Sequence, residues 1–273
     1  MTVAFWSNTR GKACVTSNLA CISVLSSLGS RKNDKTILLE NHQNIVNLGS
    51  ALFSQYSKSM VWESRPYHKE SGLSYLLRMI EWDNLPSDEV FQHITEDLLG
   101  KKLLYLSAEG TENAEVLEYT LEKEYQKAIC YLEEQGNCVM IDTSAAPLPS
   151  SRIILNEADL VVVNLSQNRQ VLEHFFHNYS HVRSKAFYLI GDYDGESEWE
   201  KEKIMRRYNI PKTRIGTIPH NAYFADAMSS GNVIPFLLDN YDCFPSSPNY
   251  SFIQEAKQAV TLLKKQISKK KRQ

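Results

Sequence analysis

The chain has 273 residues, of which 42% are hydrophobic and 23% charged, so it can bury a sizeable core within one α/β domain. Its net charge of −2 excludes a strong overall attraction to nucleic acid or membrane, although removing the six basic residues of the last ten leaves −8 on the remainder. Five cysteines without CxxC spacing, and no apolar run of the roughly 18 to 20 residues that a membrane span needs, predict a soluble, unexported protein of the cytoplasm.

Short hydrophobic runs alternate along the chain with longer stretches of helical periodicity. Most of the runs are hydrophobic throughout, as strands buried on both faces should be. The pattern predicts an α/β fold whose mostly parallel central sheet has about seven strands flanked by helices. The predicted strands are Thr2–Trp6, Thr36–Glu40, Lys102–Leu106, Cys138–Asp142, Leu160–Asn164, Ala186–Ile190 and Arg214–Ile218.

Helical periodicity predicts eight helices between and after these strands. We assign residues 1–239 to the sheet domain. Residues 240–273 are assigned to a linker, an amphipathic C-terminal helix and a basic tail. The helices are predicted near residues 15–28, 71–81, 88–98, 113–134, 168–183, 198–208, 222–230 and 250–268.

A polar turn joins the first predicted strand to the first helix. Backbone N–H groups in such a turn, together with the N-terminus of the helix, form an anion site. The turn is therefore the candidate phosphate-binding loop. Its candidate binding residues are Arg10, Gly11, Lys12, Ala13, Cys14, Val15, Thr16 and Ser17, followed by Asn18-Leu19-Ala20.

This loop resembles the deviant Walker A motif of the ParA/MinD class of P-loop ATPases, KGGxGKT followed by T/S-x-N-L-A. Arg10 stands at the signature lysine, and Gly11 matches the first glycine. Lys12 and Cys14 replace the other two glycines. Thr16 matches the hydroxyl that coordinates magnesium in the family.

Further segments resemble the same family in the family's own order. Asn137–Ser144 is similar to the Walker B strand that ends in IDTPP, and Ala158–Val163 is similar to the next strand, ADxVIVV. Arg214–Asn221 is similar to the last strand and its loop, while Gly72–Leu77 and Leu104–Gly110 match the middle section. The chain is thereby identified as a degenerate member with a P-loop NTPase-like fold.

The resemblance implies a site for ATP and Mg²⁺. Thr16 and Asp142 would be the metal-binding residues, and Glu40 and Asp142 the catalytic ones. Pro219 and His220 lie in the loop that packs against adenine in the family.

Besides the replacements at Arg10, Lys12 and Cys14, the chain departs from the family pattern in three further places. Val15 replaces the phosphate-gripping lysine, which removes a cation on which phosphoryl transfer relies. Glu40 and His42 replace the two aspartates of D-x-D-P-Q, and the longer glutamate displaces its carboxylate enough to cost roughly a hundredfold. Gly191-Asp192 replaces the asparagine that reads adenine. We therefore expect weak or absent binding of ATP and Mg²⁺, with hydrolysis near background, so that the chain is at most a weak ATPase.

Three histidines, His174, His177 and His181, lie on one predicted helix at spacings of four and three. A zinc site on that face is one interpretation, but only Glu173 lies near enough to complete it and it points elsewhere. A polar, partly exposed helix face is the simpler interpretation.

The C-terminal helix is amphipathic and a basic run follows it. The simpler interpretation is a helix docked on the sheet with a solvated tail. The alternatives are a peripheral contact with the inner face of the membrane, or a non-specific DNA contact through the tail, which the acidic body opposes. The apolar side consists of Phe252, Ala256, Ala259, Val260, Leu263 and Ile267, and the basic run is Lys269–Arg272.

Two functional hypotheses follow. In the first, a homodimeric pseudo-ATPase binds and positions a larger assembly, such as a secretion, pilus or conjugation apparatus, or a DNA cargo. In the second, a rearranged but active site containing Arg10, Lys12, Thr16, Glu40 and Asp142 drives an ATP-dependent dimerisation switch that partitions plasmid or chromosomal DNA.

Overall fold

The structure is a computed structural model that describes residues 1–31, 33–54, 72–108 and 113–271. Three parts of the sequence predictions lie outside the described residues: the helix start at residue 71, the Glu109–Gly110 end of the middle match, and Arg272. The described strands are β1 (Thr2–Trp6), β2 (Thr36–Glu40), β3 (Glu96–Asp97), β4 (Leu103–Leu106), β5 (Cys138–Asp142), β6 (Leu160–Leu165), β7 (Ala186–Tyr193) and β8 (Ile215–Pro219).

These strands form one sheet in the order β3-β4-β2-β5-β1-β6-β7-β8. Every neighbouring pair is parallel except β3 with β4, which is antiparallel. The predicted mostly parallel α/β sheet is confirmed, with eight strands in the described ranges in place of about seven. The additional strand is a two-residue edge strand of acidic residues, which carries no hydrophobic signal that a sequence pattern could detect.

Helices cover both faces of the sheet. Within the described ranges they are α1 (Val15–Leu28), α2 (Leu48–Leu52), α3 (Gly72–Glu81), α4 (Asp88–Ile94), α5 (Ala114–Gln135), α6 (Pro149–Glu157), α7 (Arg169–Asn178), α8 (Ser180–Arg183), α9 (Lys201–Tyr208), α10 (Ala222–Ser230), α11 (Val233–Asn240) and α12 (Tyr250–Lys270).

Two predicted helices differ in extent or number from those observed, and three observed helices were not predicted. The helix predicted over residues 88–98 ends at Ile94, because the chain there turns into β3. The helix predicted over 168–183 is two helices that meet at Tyr179, whose ψ of 42° is not helical. The short helices α2, α6 and α11 lie in segments with no predicted helix.

Alternating side chains of each strand enter two separate cores. In β1, Ala4 and Trp6 join the cluster beneath α3 to α9, whereas Val3 and Phe5 join the cluster beneath α1, α2, α10, α11 and α12. This period of two is what a pleated strand imposes, and it explains why strands buried on both faces are hydrophobic at every position.

The C-terminal helix α12 is part of the second core. Its apolar side packs against β8 and α1, and Phe252, Ala256, Ala259 and Leu263 are at most 2% exposed. The structure thus has the docked arrangement. Among the described residues, no helix is long and apolar enough to cross a membrane.

The closest approach between α12 and the sheet depends on a glycine in β8. A Cβ atom added to Gly216 would lie 2.7 Å from Ala259 Cβ and 3.1 Å from Ala259 Cα. Neither atom can move without shifting the helix, so the sequence at residue 216 limits how α12 docks.

We predict that Gly216→Ala lowers the free energy of unfolding by about 1–3 kcal/mol, because the added methyl group overpacks this contact. Urea denaturation measures the change. Gly195→Ala is the matched control, since a Cβ atom there has no neighbour within 4 Å. Adding Ala259→Gly should restore part of the loss. Equal stability of Gly216→Ala and the wild type would contradict this packing.

Candidate functional site

The candidate site lies at the carboxyl edge of the sheet beside the central strand β1. The order of the sheet reverses there, since β1 lies between β5 and β6. Crevices at such a reversal are where open α/β sheets bind ligands. Asp142, at the end of β5, is in register with Glu40 of β2 and with Phe5 of β1. The topology therefore brings the first loop, Glu40 and Asp142 to one place.

The first loop has the backbone of an anion cradle. Gly11 has a φ of +69°, and Cys14 adopts a left-handed conformation with a φ of 53°. Asn18 Nδ2 donates to the carbonyl of Ala13 at 3.2 Å and to Oδ1 of Asn164 at 2.8 Å, which fastens the loop to β6. Cys14, the N-cap residue of α1, makes no side-chain capping hydrogen bond, so the first-turn N–H groups can still receive an anion.

The side chains of the loop supply little charge to that cradle. Arg10, Gly11 and Lys12 are exposed, and Ala13 is buried. Val15 is half-buried and packs against the apolar cluster on the α1 side of the sheet. Val15 therefore packs against the core without being fully buried, and it brings no charge to the loop.

Thr16 and Asp142, the predicted metal pair, are in contact. The hydroxyl of Thr16 donates to Asp142 Oδ2 at 2.6 Å. Asp142 is 1% exposed, and its other oxygen, Oδ1, is buried without a hydrogen-bond partner. Ser17 follows on the first turn of α1 and is half-buried. The pair leaves one carboxylate oxygen available for a ligand.

Glu40, the predicted catalytic carboxylate, is held by two hydrogen bonds. Tyr105 donates its hydroxyl to Oε1 at 2.5 Å, and the backbone N–H of Leu48 donates to Oε2 at 3.1 Å. Burial raises the pKa of Glu40 to about 7, with Asp142 adding to the rise and His42 and both hydrogen bonds opposing it. Glu40 therefore stays partly protonated near neutral pH.

Two residues next to Glu40 that sequence reasoning left out of the site also belong to it. His42 Nε2 lies 3.4 Å from Asp142 Oδ2. Burial alone would lower the pKa of His42, but the hydrogen bond and charge of Asp142, with the charge of Glu40, raise it overall. Asn41 accepts from the N–H of Ser144 at 2.7 Å and so joins the end of β2 to the loop after β5. The sequence signal that could have identified His42 was a histidine two residues beyond the end of a buried strand.

The carboxyl end of β7 and the loop after β8 lie on the other side of the first loop. Asp192, with a φ of 49°, contacts His220 through Oδ1 and Nδ1 at 2.7 Å, and both side chains are exposed. Burial raises the pKa of the Cys14 thiol, and the charge of Asp192 adds to the rise. A Cβ atom on Gly191 would lie 2.4 Å from Asn18 Nδ2, so this position admits no side chain. His220, the residue after Pro219, is thus paired with the carboxylate of Asp192.

The residues of the site are suited in part to binding a phosphate and a divalent cation. Asp142 Oδ1 is an oxygen donor of the kind that Mg²⁺ takes, and the uncapped start of α1 suits phosphate. Bound there, Mg²⁺ would neutralise phosphate charge. The side chains for phosphoryl transfer fit poorly, because Val15 is apolar and Glu40 is already held on both oxygens.

The three histidines predicted on one helix do not form a metal cluster. His174, His177 and His181 are exposed, and His181 lies on the separate helix α8. Among the described residues, the metal-capable cluster of three or more side chains is Glu40, His42 and Asp142. The polar helix face is the interpretation that agrees with the structure.

No protein-family model and no curated protein sequence matches the chain. Solved structures do. The ParA family ATPase from Chlorobium tepidum TLS superposes with a TM-score of 0.70 at 12% identity, covering 95% of this chain and 98% of that one. MinD complexed with Mg-ADP from Pyrococcus horikoshii OT3 gives 0.68 at 13% identity and 99% of each chain. The MinC:MinD complex from Aquifex aeolicus gives 0.67 at 16% identity, over 96% of this chain and 95% of that one.

The chain therefore has the fold of the ParA and MinD ATPases over nearly its whole length. The resemblance predicted from the ordered motifs is confirmed at the level of the fold. The degenerate state of the phosphate loop remains a prediction, as do the roles of the individual site residues.

The buried cluster around Glu40 predicts a pH dependence of stability. The pKa of Glu40 is raised in the folded protein, so its contribution is fully present below about pH 4.5 and is lost as the pH rises through about 7. We expect Glu40→Gln to reduce the loss of unfolding free energy between pH 5 and pH 8 by about 1–3 kcal/mol. Urea denaturation of both proteins at each pH measures it. The same pH dependence in both would contradict this assignment.

Proposed function

We propose that this protein is a degenerate ParA/MinD-like binding and positioning subunit whose ATP hydrolysis is near background. The observation that carries the proposal is the packing of Val15 in the apolar cluster beneath α1, at the position of the phosphate-gripping lysine. An uncharged isopropyl group packed there cannot offset the charge that develops during phosphoryl transfer.

The remaining loop cations do not replace that lysine within one chain. Arg10 and Lys12 are both exposed. Either would contribute only by folding back or by acting across an interface with a second copy. The loop therefore serves a homodimer interface better than it serves catalysis in a single chain.

Glu40 supports the same conclusion. A general base must be oriented toward its water, whereas hydrogen bonds from Tyr105 and Leu48 fix the orientation of the Glu40 carboxylate. Releasing the carboxylate would leave these buried donors unsatisfied, at a cost of roughly 1–3 kcal/mol each.

The fold indicates the class of partner that the chain binds. The MinD structure from Aquifex aeolicus is a complex with another protein, MinC, which supports a role in binding a protein partner. We place the chain in the positioning or assembly of a secretion, pilus or conjugation machine, or of a DNA cargo, in the cytoplasm or at the inner face of the membrane.

The second candidate is an active ATP-dependent dimerisation switch that partitions DNA. The contact between Thr16 and Asp142 favours it, because both residues of the predicted magnesium pair are in place and Asp142 Oδ1 has no partner. In this case Arg10 supplies the missing cation across the dimer.

Steady-state ATPase assays distinguish the two candidates. We expect turnover at background with Mg²⁺ and no difference between the wild type and Arg10→Ala, because no cation reaches the transferred phosphate. Magnesium-dependent turnover that Arg10→Ala abolishes would contradict the proposal. Sedimentation velocity with and without ATP gives a second measure, since only the switch requires dimerisation that depends on nucleotide.

Membrane contact, if made, is restricted to the basic tail because the apolar side of α12 is buried. We expect no co-sedimentation with neutral vesicles, and salt-sensitive retention on anionic ones that falls when the exposed Lys265, Lys269 and Lys270 become Gln. The matched control replaces the exposed Lys35, Lys101 and Lys212. Binding to neutral vesicles would contradict the docked helix.

A further inference from the structure

The cluster formed by Glu40, His42 and Asp142 has the composition of a transition-metal site. One potential ligand atom from each residue lies within 4.8 Å of the other two, and all three residues are buried. A histidine nitrogen with two carboxylate oxygens differs from the all-oxygen set that Mg²⁺ prefers and suits Zn²⁺. We propose that this cluster binds one Zn²⁺ ion through protein side chains alone, without nucleotide.

The spacing of the donors supports tetrahedral coordination. Bonds of about 2.1 Å to a tetrahedral ion place neighbouring ligand atoms roughly 3.4 Å apart. His42 Nε2 lies 3.4 Å from Asp142 Oδ2. This pair therefore already has the separation of two ligands of one Zn²⁺ ion.

Two buried atoms of the cluster have no hydrogen-bond partner. Asp142 Oδ1 and His42 Nδ1 are both unsatisfied, and Asp142 and His42 are 1% and 9% exposed. An unpartnered buried carboxylate oxygen is costly, and a bound cation removes that cost. Either Asp142 oxygen offers a lone pair, and Glu40 retains one on each oxygen beyond its bonds to Tyr105 and Leu48.

The charge and the fourth position also fit. Two carboxylates and a neutral imidazole carry a charge of −2, which one divalent ion balances in a buried site. A water molecule would complete the coordination, because the hydroxyl of Thr16, 2.6 Å from Asp142 Oδ2, is closer than two ligands of one tetrahedral ion and remains a hydrogen-bond donor to that oxygen. The ion would join β2 to β5.

The test uses full-length protein treated with a chelator and then titrated with ZnCl₂ by calorimetry in the absence of nucleotide. We expect one ion per chain, a melting temperature higher by several degrees, and no competition from excess Mg²⁺. Co²⁺ in place of Zn²⁺ should give visible d–d absorption, which reports ligation independently of heat.

Variants locate the ion. His42→Asn should weaken Zn²⁺ binding by about a hundredfold or more, since it removes a ligand, and Glu40→Gln by at least about tenfold. His177→Asn, on the exposed face of α7, is the matched control and should bind as the wild type does. Should His42→Asn fail to fold, Glu40→Gln and the Co²⁺ spectrum decide the question.

Absence of binding would overturn the proposal. So would unchanged affinity in both cluster variants, or loss of binding in His177→Asn. None of these measurements contains nucleotide, so failure here leaves the proposed function untouched, and an active ATPase would leave the zinc proposal untouched.

Discussion

The buried carboxylate of Asp142 determines the arrangement of the carboxyl edge of this sheet. It lies at the end of β5, between β1 and β2, and is 1% exposed. A charge in that position requires compensation, and it comes from the hydroxyl of Thr16 and the imidazole of His42. The start of α1 and the turn after β2 are thereby held at the same carboxylate.

The backbone of the first loop and its side chains contribute separately to this site. The turn is formed by Gly11 and Cys14, and Asn18 anchors it to β6. Neither the turn nor its anchorage depends on a lysine at residue 15. Val15 instead adds to the apolar packing beneath α1. The backbone of this loop therefore has the shape of an anion site whatever side chain stands at residue 15.

Strands and the overall fold were predictable because their signals are local or ordered along the chain. Continuous hydrophobic runs identified seven strands within one to three residues of their observed ends, and the motif order indicated the ParA/MinD fold that the solved structures confirm. Strand β3 escaped prediction because two acidic residues carry no hydrophobic pattern. The docking of α12 was open in the sequence, since an amphipathic helix suits a sheet or a membrane equally well.

The site was only partly predictable. Thr16 and Asp142 were paired through the resemblance, and the structure brings them into contact. The role of His42 depends on the register of β2 with β5, and the two hydrogen bonds that hold Glu40 come from Tyr105 and Leu48, whose positions no local pattern specifies. These contacts join residues that are far apart in the chain or follow from the turn geometry, so the coordinates were needed to find them.

A crystal structure of the protein soaked with a non-hydrolysable ATP analogue and Mg²⁺ tests the central claim most directly. The account predicts that Val15 remains in the apolar cluster, that Glu40 keeps its bonds to Tyr105 and Leu48, and that any bound phosphate is held by backbone N–H groups alone. A triphosphate contacted by Arg10 or Lys12, with Glu40 released toward an attacking water, would contradict it.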